Sequence, residues 1–564
     1  MPELNKALGR LQTRLSRLQN RQRILSMARQ VARHANPEFG NSVQSSALPF
    51  EIQNSKSPVV FFNASTRITG LSLNAAFSLL TGWGLRLGGV PVVHFVCEHG
   101  MSHCVLGTNR DNYTAPPPCE ACTAQSRRLY NGAAVQRFAY EANAQLSGVI
   151  QNLDLDELSA FEFQDSLAPL PLPLGNLVMP SLRWALRRHD LPDDEPTRFL
   201  LREYILSAYR TMQAFSEFLE HIRPAAVVIF NGIMFPEASV RWVAQQRGLR
   251  VITHEVSFQK FSAFFSNGQA TAYPLHIPQE FELTPQQNAR LDAYLEKRFQ
   301  GQFTMAGIQF WPEMRGLDEA FLQKMQGFRQ IVPVFTNVVF DTSQVHANTV
   351  FPHMFAWLDL VLEIIRGHPE TLFIIRAHPD EMRPGSGKKS RQSVQDWVQR
   401  KQVARLPNVI FIASEEYTSS YELIQRAKFV IVYNSSVGLE ATLLGAAVLC
   451  GGKARFTQYP TVFFPQTPQA YREQAEAFLA ADKIDVPAEF QRNARRFLYY
   501  QLFRASLPFE DYLQNGTRPG FVHLKPFAWQ QLHPQNSPTM RVLLEGILAQ
   551  TPPGKEPFLL DDDH

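Results

Sequence analysis

No stretch of this 564-residue chain holds the eighteen or so uninterrupted apolar residues that cross a bilayer; its most apolar window, Leu71 to Val96, is broken by Arg86 and by glycines. The N-terminus lacks a short apolar run ahead of a small-residue cleavage site, so nothing marks the chain for export and a cytoplasmic enzyme is expected. Net charge is scarce as well. At +4, and without a basic stripe interleaved with aromatics, the sequence offers little to a polyanion, and no nucleic-acid partner is expected. What is present is ordinary globular material, 45% hydrophobic and 19% charged, in a chain too long for one core. Two or three domains follow.

Residues 1–35 read as a basic amphipathic helix: Leu4, Leu8, Leu11, Leu15, Leu18 and Leu25 recur near helical spacing among eight Lys or Arg and a single acid, Glu3. Such a helix suits a coiled-coil partner, peripheral contact with the anionic inner face of a plasma membrane, or packing on its own body. Polar residues 36–56 read as a linker.

From Ser57 strands alternate with helices. Val59–Phe62 reads as a buried strand, 71–87 as a helix and 90–96 as the next strand, which makes a βαβ unit. A region expected to be helical follows over 125–221, interrupted by Pro169–Pro173. Strand 226–230, the Asn231-Gly232 turn, helix 237–246 and strand 250–254 complete a first α/β domain over 57–275. Residues 276–327 form a polar connection. A second alternating set, with strands at 331–335, 371–375, 408–412, 428–433 and 446–450, gives a second Rossmann-like domain over 328–489. Residues 490–564 are expected to be helical and to fold back on the first domain.

Ligands on open parallel sheets bind beyond the carboxyl ends of the strands. Two strand ends of the second domain carry suitable chemistry. Phe373-Ile374-Ile375 runs into Arg376-Ala377-His378-Pro379, and Val430-Ile431-Val432-Tyr433 runs into Asn434-Ser435-Ser436-Val437-Gly438, which opens a helix stopping at Gly445. Small hydroxyl residues and a glycine at a helix start offer backbone N–H groups to an anion, and Arg376 and His378 would bring positive charge to the same place. Capping of the helix by the serines, and termination of the strand by His378-Pro379, are the plainer readings.

These residues resemble the bacterial capsule and surface-polysaccharide glycosyltransferases, including the Kdo- and sialic-acid-transferring enzymes, whose hallmarks are a His-Pro motif and a Ser/Thr-rich motif. Phe335 to Asp341, Tyr421, Gly438-Leu439-Glu440 and Gly445 resemble the same group. The resemblance covers 330–475 well and 57–260 loosely, and implies the GT-B architecture, two Rossmann-like domains facing each other. Carried over by position, it implies that His378, Ser435 and Ser436 hold the donor phosphate, with Arg376, Asn434 and Gly438 beside them and Glu440 near the sugar or ribose. The implied activity is inverting, metal-independent transfer from a nucleotide sugar, CMP- or UDP-linked, to a surface polysaccharide or lipid-linked glycan. A teichoic-acid-type glycerophosphotransferase, a nucleotide-sugar epimerase and a non-catalytic scaffold of a polysaccharide assembly complex are the alternatives. The paired acidic motif followed by glycine that bacterial polysialyltransferases use is missing. Inversion needs a base for the acceptor hydroxyl, and Glu255, closing strand 250–254, is the candidate, with His254 and Glu237 as substitutes.

Four of the five cysteines lie within twenty-six residues: Cys97, Cys104, Cys119 and Cys122. A structural zinc site, an iron–sulfur cluster and thiols without metal are all consistent with that spacing. Cys450 ends a core strand and reads as a small hydrophobe.

Overall fold

The computed structural model describes residues 2–35, 57–64, 70–167, 169–301, 304–305, 308–309, 314–382, 389–518 and 520–562, with side chains from residue 11 onward and backbone alone at 304–305 and 308–309. The linker read over 36–56 falls outside them.

Two mainly parallel sheets organise the chain. The first is built from β1 (Val59–Asn63), β2 (Val92–Cys97), β3 (Ala134–Phe138), β4 (Ala226–Phe230), β5 (Val251–Val256) and β6 (Ser262–Asn267), in the order β6-β5-β4-β1-β2-β3, with the short strand Leu507–Pro508 outside β6. Pairing is parallel from β5 through to β3 and antiparallel at β6 and Leu507–Pro508. The second sheet is parallel throughout: β7 (Gln330–Phe335), β8 (Thr371–Arg376), β9 (Val409–Ile412), β10 (Val430–Val432) and β11 (Val448–Cys450), in the order β9-β8-β7-β10-β11. All five residues of β1 and all six of β8 are buried, as continuous apolar strands covered on both faces require.

In each sheet the winding reverses beside its first strand, between β1 and β4 and between β7 and β10. A crevice opens at such a reversal because consecutive connections leave to opposite sides. Asn63 ends β1, and the turns after β4, β7 and β10 carry Asn231, Asn337 and Asn434.

Two segments differ from the sequence expectation. Ala134–Phe138, inside the region read as helical, is the edge strand β3; only Phe138 is buried, and an edge strand of mixed polarity lacks the apolar run that marks a central one. The terminal segment read as helical does contain helices Ala488–Tyr499 and Pro538–Ile547. It also supplies Leu507–Pro508 to the first sheet and a small sheet of Leu513–Asn515, Phe521–Leu524 and Leu71–Ser72. Gly84 lets helix Leu73–Leu87 approach Met540, whose Sδ would lie 2.6 Å from an added Cβ.

Of the described side chains of helix Pro2–His34, Ser16 meets His523, Oγ to Nδ1 at 3.1 Å, and the deeper contacts come later in the helix. Ile24, Met27, Ala28 and Val31 are buried, Leu524 N–H donates to Asn20 Oδ1 at 2.8 Å, and Arg23 donates to Leu524 O at 2.9 Å. Leu11, Leu15 and Leu18 are exposed. No helix among the described residues is long and apolar enough to cross a membrane.

Candidate active site

A cavity of about 590 Å³ lies between the two sheets, lined by Asn63, Asn74, Asn231, Glu237 and Glu255 from one side and by His378, Asn434, Ser435, Ser436, Lys453 and Arg455 from the other. A smaller recess of about 110 Å³ is lined by Arg376, His378, Ser435, Ser436 and Glu440 together. The two strand-end turns singled out in the sequence therefore meet at one place.

His378 follows β8 in extended backbone and its Nδ1 accepts the Asp380 N–H at 3.1 Å. That bond leaves Nε2 as the N–H nitrogen of a neutral ring. On the neighbouring turn, helix Val437–Leu443 begins at Ser436 without a side-chain cap bond. Among the described residues neither the Ser435 nor the Ser436 hydroxyl has a hydrogen-bond partner, and the N–H groups of Ser435, Ser436 and Val437 donate to no backbone carbonyl. The capping explanation for the serines thus fails. Gly438 serves the fit of the turn, since a Cβ there would stand 3.0 Å from both Phe456 and Val432, and it does not line the cavity.

Asn434 ties the turns of β7 and β10 together: its Oδ1 accepts from Asn337 at 2.6 Å and from Gln344 at 3.2 Å. Arg376 is buried and donates to the backbone carbonyls of Thr418 and Glu416. Burial lowers its guanidinium to about 10. It lines only the smaller recess, so it braces the loop after β9 behind His378 more than it reaches into the main cavity.

Glu440, expected beside the sugar, has both oxygens committed to the protein. Arg298 donates to Oε1 at 2.7 Å and the Tyr421 hydroxyl to Oε2 at 2.6 Å, and all three side chains are buried. Arg298, from helix Pro285–Phe299, also donates to the Tyr294 hydroxyl at 2.9 Å. The carboxylate holds Arg298 above its ordinary value, although burial opposes this, and Tyr421 is raised by burial and by the same carboxylate. Glu440 thus lines the cavity and the smaller recess as one half of a buried ion pair.

On the other side of the cavity, Glu255 near the end of β5 accepts Asn74 at 3.1 Å and the Val256 N–H at 2.8 Å on Oε1, and Asn231 at 2.9 Å on Oε2. Burial raises its carboxyl above the usual range while these donors and Arg455 oppose the rise. Asn231 reaches it from a left-handed backbone, φ 62°, which asparagine tolerates better than most residues. Glu237, at the start of helix Glu237–Gln246, also lines the cavity, and burial pushes its carboxyl up to about 8. His254 does not take part. It is buried between Phe230 and Phe265, its ring nitrogens have no partner among the described residues, and burial lowers it to about 3.

Sequence reasoning passed over Lys453 and Arg455, which follow β11. Arg455 lies over the Tyr273 ring at 3.7 Å, a contact between the two halves of the molecule. The available signal was Gly451-Gly452 after a buried strand. Their Cβ atoms would meet Trp357 at 2.3 Å and Tyr433 at 3.0 Å, so the glycines let the turn close against the core and present the cations.

Cys97, Cys104, Cys119 and Cys122 all line the same cavity, and none is in a disulfide.

A comparison with known protein families finds a match over the part of the chain that holds the second sheet. Residues 303–476 match the family model described as capsule polysaccharide biosynthesis protein. No curated protein is similar enough to match. Among solved structures, KpsC β-Kdo 2,4-transferase of Thermosulfurimonas dismutans is similar at 12% identity, with 55% of this chain and 87% of that chain covered and a TM-score of 0.34. UDP-GlcNAc 2-epimerase of Neisseria meningitidis bound to UDP-GlcNAc is similar at 10% identity, covering 78% and 96%, with a TM-score of 0.25. An E. coli trehalose-6-phosphate structure bound with UDP-2-fluoro glucose is similar at 12% identity, covering 78% and 94%, with a TM-score of 0.30. Likenesses this distant bear no argument about activity. The family match falls on the segment that carries the His378 and Ser435 turns, and that segment has the sequence character of the capsule polysaccharide biosynthesis proteins.

Proposed function

We propose that the protein is an inverting, metal-independent glycosyltransferase that moves a sugar from a nucleotide sugar, CMP- or UDP-linked, to a surface polysaccharide or lipid-linked glycan. The observation that carries the reading is the pair of hydroxyls at Ser435 and Ser436, without a partner among the described residues, set beside His378 in a cavity whose opposite wall holds Glu255.

In a single displacement the acceptor oxygen attacks the anomeric carbon as its proton passes to a base, and the bond to the nucleotide phosphate breaks. Negative charge grows on the departing phosphate. Donors fixed in advance at that position lower the barrier most, because they need not reorganise during the reaction. The His378 Nε2–H, the serine hydroxyls and the N–H groups of the turn supply such donors, with Lys453 and Arg455 as the cations nearby. With that charge supplied by the protein, a divalent ion is not required.

Glu255 takes the proton. Burial raises its carboxyl above the usual range while three N–H donors oppose the rise, and a raised carboxyl is the stronger base once deprotonated, the direction a general base needs. Glu237 lines the same cavity and, among the described residues, is the competing carboxyl with a raised value there.

Thermal shift of the full chain against CMP, UDP, GDP and CDP species identifies the donor class, since a ligand of the native state raises apparent stability. Acceptor-dependent release of the nucleotide with sugar transfer supports the proposal. Conversion of the donor without an acceptor would make the protein an epimerase, transfer of glycerol phosphate would make it a glycerophosphotransferase, and a donor bound without turnover would leave a scaffold.

A further inference from the structure

Between β2 and helix Cys119–Leu129, residues 98–118 run through turns and bends without a helix or strand. Segments longer than about 15 residues with no regular structure are uncommon inside a compact domain and need something to hold them. This one still buries Met101 and His103.

The cysteines sit where such a staple would. Cys97 ends β2, Cys104 lies within the segment, and Cys119 and Cys122 occupy the first turn of the helix. The first two repeat one local pattern, Cys97-Glu98-His99-Gly100 and Cys104-Val105-Leu106-Gly107. The Gly100 N–H donates to Cys97 Sγ at 3.1 Å, and Cys104 Sγ accepts from the backbone N–H groups of Gly107 and Leu106. A Cβ on Gly107 would lie 3.0 Å from Cys104 Sγ and 2.6 Å from Pro117, so glycine is what lets the chain wrap the sulfur. Backbone N–H groups turned on sulfur are the surroundings of a thiolate, and the first turn of a helix favours thiolates too.

We infer that Cys97, Cys104, Cys119 and Cys122 ligate a thiophilic metal centre, a zinc ion or an iron–sulfur cluster, which forms part of the cavity wall. The four side chains line one cavity, Cys97 and Cys104 each with a backbone N–H turned on the sulfur, and none is in a disulfide. Among the described residues, His189, Asp190 and His353 form the group whose donor atoms lie within 4.8 Å of one another. The four sulfurs therefore stand wider than the roughly 3.8 Å set by zinc–sulfur bonds of about 2.3 Å in a tetrahedron. They must close on a lone ion by side-chain rotation, or span the larger core of a cluster. Either centre would hold residues 98–118 in place, and the energy of metal binding would become folding energy of the first domain.

The test does not depend on transferase activity. Full-length protein purified anaerobically without chelator is analysed for metals, acid-labile sulfide and visible absorption. About one zinc per chain without colour identifies the ion, and about four irons with matching sulfide and an absorption band in the visible identify a cluster. In both cases Cys119→Ser/Cys122→Ser should lose the metal while Cys450→Ser keeps it. If the double variant does not fold, stoichiometric release of metal from the wild type on mercurial modification of its thiols gives the same answer. Wild-type protein without stoichiometric metal, or metal retained by a folded double variant, would overturn the assignment.

Discussion

Arg298 and Glu440, 142 positions apart in sequence, form an ion pair at 2.7 Å with both side chains buried, at the junction of the helical connection and the turn that follows β10. Removing one partner leaves the other charge buried and uncompensated. Arg298→Met or Glu440→Leu should each destabilise the protein by about 3–5 kcal/mol. The double variant should recover a substantial part of that loss. Urea unfolding of the four proteins checks it, and strict additivity would show that the pair is not coupled.

Glu255→Gln should leave nucleotide affinity close to wild type and lower the transfer rate by about 100-fold or more, the usual contribution of general base catalysis. An unchanged rate would exclude Glu255 and direct attention to Glu237.

Asn231→Ala removes one hydrogen bond that favours the charged form of Glu255. Its carboxyl should rise further, so the acid limb of the pH–rate profile should move to higher pH. A limb that stays in place while activity falls would assign Asn231 to another task.

His378→Ala, and separately Ser435→Ala/Ser436→Ala, should weaken nucleotide binding and cripple turnover while thermal unfolding stays near wild type. These groups face the cavity, and the serine hydroxyls hold no partner within the described protein. Isothermal titration with the nucleotide found by thermal shift measures the effect, and undiminished affinity in both variants would remove the phosphate assignment.

Glu237 has a folded-state value of about 8 against an ordinary value of 4.5. The folded state therefore holds a proton that the unfolded state gives up earlier, and the associated stability is present below about pH 4.5 and lost as pH rises through about 8. Glu237→Gln carries no such penalty. From pH 5 to pH 9 the wild type should lose several kcal/mol relative to the variant, at about 1.4 kcal/mol per unit of displacement. Parallel stability curves would contradict the burial of this carboxyl.

Local patterns made much of the architecture legible. Val59–Asn63, Ala226–Phe230 and Thr371–Arg376 are apolar runs bounded by polar turns, and central parallel strands leave no other reading. β3 escaped because Ala134–Phe138 is an edge strand whose pattern resembles that of its helical surroundings. His378, Ser435 and Ser436 could be located because a strand end is itself a local feature, and ligands on such sheets gather there.

What the sequence by itself determined was which residues end strands, and hence which lie on the side of each sheet that meets a ligand. Tertiary structure alone decided what those residues have to do. It paired Glu440 with Arg298 at the cavity wall, buried His254 against Phe265, gave Glu255 its amide donors from Asn74 and Asn231, and brought Lys453 and Arg455 to the cavity. The reason is range. Periodicity and turn chemistry act over a few residues, whereas the protonation and pairing of a buried carboxylate depend on whichever distant segments share its low-dielectric surroundings.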